Sequence, residues 1–107
     1  MWVCSQHSLQ YLVMYNAQIS GTLPLCLWSL PSLQGLWLPY NKINGSIPKA
    51  IPPLGILDLS WNLLSGSLFP FLCHGMRNQM PLSALYLSDN HLTGNILNCW
   101  ACWPGMV

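Results

Sequence analysis

The chain has 107 residues, of which 52% are hydrophobic and only 5% are charged, and its formal net charge is +1. This length and apolar content suffice for one domain with a hydrophobic core, which argues against intrinsic disorder. The near-neutral charge argues against nucleic acid or an anionic membrane surface as a partner, because both attract basic proteins.

The sequence shows neither a membrane span nor a secretory signal. Residues 1–7 lack the basic end and the continuous apolar stretch of a signal peptide. Elsewhere Pro, Gly, Asn or Ser interrupts each apolar run before the roughly 18 residues that a membrane helix needs. If the parent protein is secreted, we expect its targeting segment outside this sequence.

A repeat of the form LxxLxLxxNxLxGxIP begins at Leu9, Leu33, Leu54 and Leu82. The successive starts are 24, 21 and 28 residues apart, within the roughly 20–29 residues typical of leucine-rich repeats. We therefore predict an α/β-class leucine-rich-repeat solenoid, a right-handed horseshoe with four repeats (9–32, 33–53, 54–81, 82–103) and no terminal caps. Irregular or 3-10 segments are expected on its convex face.

The LxxLxL part of each repeat predicts a short strand whose leucines alternate inward. The expected strands lie near residues 11–15, 35–39, 56–60 and 84–88, and they pair in parallel to form the concave face. One buried column of leucines is expected to run through the sheet: Leu12, Leu36, Leu57 and Leu85.

Polar and glycine positions of the repeat predict further structural columns. Asn41, Asn62 and Asn90 follow the strands, and their amides are expected to bond to the backbone of neighbouring coils as a ladder. In the first repeat Asn16 falls one position early, so Ala17 occupies the ladder position. The Gly column is expected at tight turns with positive φ, with Pro then ending strand pairing: Gly21, Gly45, Gly66 and Gly94.

The ending LxGxIP, most complete at residues 43–48 (INGSIP), resembles the plant-specific class of leucine-rich repeats. That class occurs in receptor kinases, receptor-like proteins and polygalacturonase-inhibiting proteins, and the resemblance covers about residues 7 to 100. The pairs HSLQ (7–10) with QISGTLP (18–24), and LC (72–73) with NCW (98–100), resemble receptor-like proteins tied to defence. The resemblance implies further repeats, a signal peptide, caps and one membrane helix in the whole protein.

Variable positions of the strands face the concave surface, where repeat solenoids bind their ligands. These positions include Tyr11 and Gly35 and are rich in aromatic residues, which are typical of protein or peptide contacts. The alternative is a solvated sheet face with scattered aromatics. The candidate ligand-binding residues are Val13, Tyr15, Trp37, Tyr40, Asp58, Trp61, Tyr86 and Asp89.

The remaining motifs predict no catalytic site. Five cysteines favour an oxidising compartment without fixing a pairing. Cys99 and Cys102 have the spacing of a redox motif, but no adjacent cation would activate a thiol, so a structural or disulfide role is favoured. No metal site, cofactor or catalytic constellation is predicted.

Asn44 begins the one N-glycosylation sequon, Asn44-Gly45-Ser46. It follows a predicted strand, where the chain turns outward. The alternative is that Asn44 serves only the turn, and glycosylation requires secretion.

The leading functional hypothesis is a non-catalytic recognition module, a segment of a plant cell-surface receptor-like protein. Its expected partners are a protein or peptide ligand in defence or development and a co-receptor kinase. Membrane attachment is expected only through other parts of the parent protein, at the extracellular face of the plasma membrane. The alternatives are a soluble inhibitor of a cell-wall hydrolase, a truncated remnant without its own role, and thiol-disulfide exchange at Cys99 and Cys102.

Overall fold

The structure is a computed structural model that describes residues 2–23, 25–47, 54–67 and 83–93. The first sheet contains β1 (Tyr11–Val13), β3 (Gly35–Trp37), β5 (Ile56–Asp58) and β7 (Ala84–Tyr86), in that order. The second sheet contains β2 (Ser20–Thr22), β4 (Lys42–Gly45), β6 (Leu63–Ser67) and β8 (His91–Thr93). All pairs are parallel, so each repeat contributes one strand to each sheet and the chain forms a solenoid.

The predicted leucine column is confirmed. Leu12 pairs in register with Leu36, Leu36 with Leu57, and Leu57 with Leu85. All four side chains are buried, because alternate residues of a strand point to opposite sides and these point between the two sheets. Each coil thus buries its leucines against the next coil, which is why the solenoid needs stacked neighbours.

The strands of the first sheet are three residues long, shorter than the predicted five. Backbone bonding between coils nevertheless continues past the strand ends, as in the bond from Leu38 N–H to the Asp58 carbonyl at 2.8 Å. Two residues farther on, Tyr40 N–H donates to the Ser60 carbonyl at 3.2 Å. At Tyr40 the backbone turns to a left-handed conformation, with φ at 57°.

The second sheet was not predicted, and it is present in addition to the expected 3-10 segments. After the asparagine, each coil runs extended again, and Ile43 and Leu64 point into the core with nearly no exposed surface. Neighbouring coils are about as close together here as in the first sheet. Their extended backbones therefore also pair through hydrogen bonds on this side of the solenoid.

Three of the predicted glycines have positive φ, but they lie within or at the end of strands instead of in separate turns. Their φ angles are 82° at Gly21, 85° at Gly45 and 88° at Gly66. A Cβ on Gly45 would approach Thr22 Cγ2 to 2.9 Å, so the close approach of neighbouring coils also favours glycine there. Gly94 lies outside the described residues.

Two 3-10 segments, Trp2–Ser5 and Leu25–Ser29, pack against each other. A disulfide between Cys4 and Cys26 joins them, with the Cα atoms 5.6 Å apart. The sequence had left the pairing open. Cys73, Cys99 and Cys102 lie outside the described residues.

The Asn62 carboxamide connects two coils. Its Nδ2 donates to the carbonyl of Leu38 in the preceding coil at 2.9 Å, and to those of Leu59 and Ser60 in its own coil at 3.1 Å each. Its Oδ1 accepts from Ile43 N–H at 3.1 Å. Since the side chain is buried, each of these bonds satisfies a backbone group that has little access to water.

The amides of Asn41 and Asn90 are placed in the same way. Asn41 Oδ1 accepts from Ala17 N–H at 2.9 Å and from Ile19 N–H at 3.1 Å. Asn90 Oδ1 accepts from Leu64 N–H at 3.0 Å. Within the described residues no buried side-chain nitrogen or oxygen lacks a hydrogen-bond partner. The described part of the chain also contains no helix with the length and apolar character needed to cross a membrane.

These bonds predict that Asn62→Ala destabilises the chain more than Asn16→Ala. The first substitution leaves buried backbone groups unpaired, at a cost of about 1–3 kcal/mol. Asn16 is exposed, so alanine there leaves no buried backbone group unpaired and costs only the strain of a left-handed backbone, φ 51°, that asparagine tolerates better. Urea denaturation followed by circular dichroism measures both variants, and equal midpoints would contradict the structural role of the amide.

Candidate functional site

The outward side of the first sheet carries most of the exposed large side chains that the structure describes. Three tyrosines there, Tyr11, Tyr15 and Tyr40, each expose more than half of their surface, and Trp61 exposes 49%. We call this surface the aromatic face and define it by these residues: Tyr11, Val13, Tyr15, Trp37, Tyr40, Asp58, Trp61, Tyr86 and Asp89.

Parallel register brings four of the predicted binding residues into one row across the sheet. Val13 pairs with Trp37, Trp37 with Asp58, and Asp58 with Tyr86. Because neighbouring strands lie about 4.8 Å apart, the row spans roughly 15 Å from its first to its last strand. An extended segment of five or six residues would be long enough to cross it, at roughly 3.3 Å per residue.

A second row of residues crosses the coils. It is formed by the residue that immediately precedes the ladder position in each coil. Asn16, Tyr40, Trp61 and Asp89 all have positive φ, between 51° and 59°. A left-handed conformation costs roughly 1–2 kcal/mol for ordinary residues, and it is rare for bulky ones. The turn is required in every coil, but the fold alone does not explain why Tyr40 and Trp61 occupy it.

Tyr40 and Trp61 stack on each other across neighbouring coils. Their ring centroids are 5.4 Å apart and their planes differ by 10°. Such a pair is worth about 0.5–1.5 kcal/mol, which offsets part of the backbone cost. Both side chains nevertheless remain about half exposed, so together they offer a rigid apolar surface to a partner.

At the other end of the face, Tyr11 and Trp37 pack together above Gly35. Their ring centroids are 6.2 Å apart, and the Tyr11 hydroxyl donates to Gln34 Oε1 at 3.0 Å. A Cβ on Gly35 would lie 2.5 Å from Trp37 Cζ3, so the indole covers the place where a side chain would be. Gly35 is therefore buried although it occupies an outward-facing position of the strand.

Sequence reasoning did not select Tyr11 or Gly35 as functional residues. The sequence did contain a signal for this packing. Gly35 occupies the strand position at which the other repeats have Tyr11, Ile56 and Ala84, and a strand glycine often marks a close approach. Trp37 follows two residues later on the same face, where its ring can cover the glycine.

The two carboxylates of the aromatic face differ in setting. Asp58 is half-buried, and its Oδ1 accepts from the Ser60 hydroxyl at 2.6 Å and from Ser60 N–H at 3.0 Å. These bonds fix the carboxylate at the surface. Asp89 is exposed, at the left-handed position one coil farther along.

The other candidate positions lie apart from this face. Asn44 is exposed on β4 of the second sheet. Beside it is an open cavity of about 450 Å³, lined in part by Thr22, Trp28 and Ser46. Within the described ranges no group of three or more His, Cys, Asp or Glu side chains is arranged to hold a metal ion.

The packing predicts that Gly35→Ala displaces the Trp37 ring. Overpacking of this kind typically costs about 1–3 kcal/mol of unfolding free energy. The Trp37 indole resonance, assigned by its loss in Trp37→Phe, should shift in a two-dimensional NMR spectrum.

Gly55→Ala is the matched control. A Cβ there would meet the Gln34 carbonyl at 3.5 Å, an ordinary contact, so we expect a change of less than about 1 kcal/mol. An unmoved indole resonance in Gly35→Ala, or equal effects of the two alanines, would show that the indole does not depend on the glycine.

Comparison with known proteins adds an independent finding. Residues 8–30, 32–54, 53–74 and 81–103 match the Leucine Rich Repeat family. From Arabidopsis thaliana, Receptor-like protein 53 is 36% identical over 100 residues, which cover 92% of this chain and 10% of that protein. The MDIS1-interacting receptor like kinase 1 of the same plant is 34% identical over 92 residues, covering 86% of this chain and 9% of that protein.

Receptor like protein 27 of Arabidopsis thaliana is 41% identical over 68 residues, which cover 58% of this chain and 8% of that protein. The chain thus spans about one tenth of the length of the curated relatives that it matches.

Proposed function

Because this chain belongs to the leucine-rich repeat family, we propose that it is a recognition segment that binds a protein or peptide ligand through its aromatic face. The similarity to receptor-like proteins supports a plant receptor-like segment that is not itself an enzyme. The observation that supports ligand binding is the row formed by Trp37, Asp58 and Tyr86 across adjacent strands.

Exposed, rigid aromatic side chains on a strained backbone are costly in free energy unless a partner covers them. Tyr40 and Trp61 adopt a backbone conformation that asparagine or glycine would adopt more easily, and they stay half exposed. Unfavourable conformations retained at the surface are characteristic of functional positions. Tyrosine and tryptophan also supply much of the energy at protein interfaces.

The proposal also covers the cellular location and the partners of the segment. We place the segment on the extracellular face of the plasma membrane, in a parent protein that signals in defence or development, with a co-receptor kinase as a second partner. Named relatives are receptor-like proteins and one receptor like kinase, which supports this setting in general terms. A soluble inhibitor of a cell-wall hydrolase would use the same scaffold and is the alternative.

We expect Trp37→Ala and Tyr86→Ala each to weaken ligand binding strongly. Buried aromatic contacts at interfaces are often worth about 2 kcal/mol, roughly thirtyfold in Kd. The probe is a set of peptides selected on the full chain from a random dodecapeptide library, which is long enough to cross the first sheet. Their affinities are measured by isothermal titration calorimetry.

Lys42→Ala is the control, because Lys42 is exposed on β4 of the second sheet. A further variant, Trp61→Asn, removes an exposed ring but places a tolerant residue at φ 54°, so it should lose affinity without losing stability. Circular dichroism checks that every variant is folded. Unchanged affinities in folded Trp37→Ala and Tyr86→Ala would refute binding at the aromatic face.

We also propose N-glycosylation at Asn44, since its side chain is exposed at the edge of an open cavity. When the chain is secreted from plant cells behind an added signal peptide, a glycosidase that removes N-glycans should increase its electrophoretic mobility. Asn44→Gln and Ser46→Ala should each abolish that shift. A shift that persists in both variants would place the glycan elsewhere.

A further inference from the structure

Charge is distributed unevenly between the two sheets. The whole sequence contains only two acidic residues, Asp58 and Asp89, and both belong to the aromatic face. They lie on neighbouring coils, the third and the fourth. Lys42 is the cationic residue within the described ranges, and it lies on the second sheet. The aromatic face is therefore the negative side of a nearly uncharged surface.

Two aromatic residues are neighbours of the carboxylates on the same two coils. Tyr86 is the register partner of Asp58 on the adjacent strand. The backbone N–H of Trp61 donates to the Ser88 carbonyl at 2.9 Å, and this bond holds Trp61 beside the coil that contains Asp89. Asp58, Trp61, Tyr86 and Asp89 thus surround one patch on two adjacent coils, and we call it the acidic aromatic patch.

The orientation of the Trp61 ring follows from its stack. Its plane is within 10° of the Tyr40 plane, and the centroid separation of 5.4 Å is close to the spacing of adjacent coils. Tyr40 belongs to the preceding coil, so the second face of the indole is directed toward the coil of Asp89. A cation within about 6 Å of an indole face is attracted by the π system.

We propose that the acidic aromatic patch binds a basic side chain, arginine or lysine, of an extended peptide that lies on the aromatic face. The inference rests on the proposed function and specifies its ligand. The ammonium or guanidinium group packs on the free face of Trp61 and pairs with Asp89, while its aliphatic stem contacts Tyr86. Asp58 contributes a second carboxylate; within the described residues its hydrogen bonds end on Oδ1, so Oδ2 is available.

Charge complementarity selects this occupant over others. An anionic segment would place like charges beside two carboxylates, and a purely apolar segment would remove both carboxylates from water without a partner. Arginine fits best, because its planar guanidinium stacks on an indole and forms paired bonds with a carboxylate. The other residues that define the face, from Tyr11 to Tyr40, are uncharged and mostly aromatic, which suits the neighbouring residues of such a peptide.

The test uses the random dodecapeptide selection on the full chain. Peptides selected on the wild-type chain should share a basic residue at one fixed position. Synthetic copies in which citrulline replaces arginine, or norleucine replaces lysine, should bind at least about tenfold more weakly. Selection on the double variant Asp58→Asn and Asp89→Asn, which keeps the shape of both side chains, should lose the basic position.

Controls separate this inference from folding and from the proposed function. Lys42→Ala should leave the affinities unchanged, and circular dichroism confirms that the double variant is folded. Selected peptides that depend on Trp37 and Tyr86 but carry no shared basic residue would overturn the inference while leaving ligand binding at the face intact. The same holds if the basic residue persists on the double variant. If no selected peptide depends on Trp37 or Tyr86, both the proposed function and this inference are wrong.

Discussion

The side-chain amide of each ladder asparagine satisfies backbone groups of two coils at once, and the regularity of the whole solenoid depends on it. Asn62 binds carbonyls of its own coil and of the coil before it, in a position that water hardly reaches. The chain must turn sharply to bring the amide inside. The residue before it takes up that turn in a left-handed conformation, as Trp61 does at φ 54°. The buried Asn62 amide and the exposed Trp61 side chain thus depend on the same turn, because the two residues are adjacent in the chain.

That coupling explains how a structural repeat produces a recognition surface. Because the turn recurs in each coil, the preceding residues form a row at the coil spacing, and large side chains in it can stack. Tyr40 and Trp61 do so with nearly parallel rings. Because each ring packs on the other, a ligand would have less ordering of these two side chains to do on binding.

Because the chain carries few charges, the two aspartates have a large influence on the electrostatic potential of the aromatic face. In a chain with only 5% charged residues, few other groups compete with them, so Asp58 and Asp89 dominate the electrostatics of the aromatic face. The Asp58 carboxylate is held by Ser60, and the left-handed turn sets the backbone of Asp89 on the next coil. Specificity would then come from charge at the third and fourth coils and from aromatic contact over the rest of the face.

The sequence by itself determined the repeat, the first sheet and the leucine column, because a period of about two dozen residues with alternating leucines fits only stacked coils. The residues of the aromatic face other than Tyr11 were also selected from it, since the repeat frame marks the outward positions. Tertiary structure alone decided the second sheet, the Cys4–Cys26 disulfide, and the packing of Trp37 and Tyr11 above Gly35. These features depend on contacts between residues one coil apart, whose register and ring orientation no local pattern encodes. The repeat frame places Asp58, Trp61, Tyr86 and Asp89 on neighbouring coils, but only the stacked coils decide how the Trp61 ring is oriented, because that depends on its packing against Tyr40.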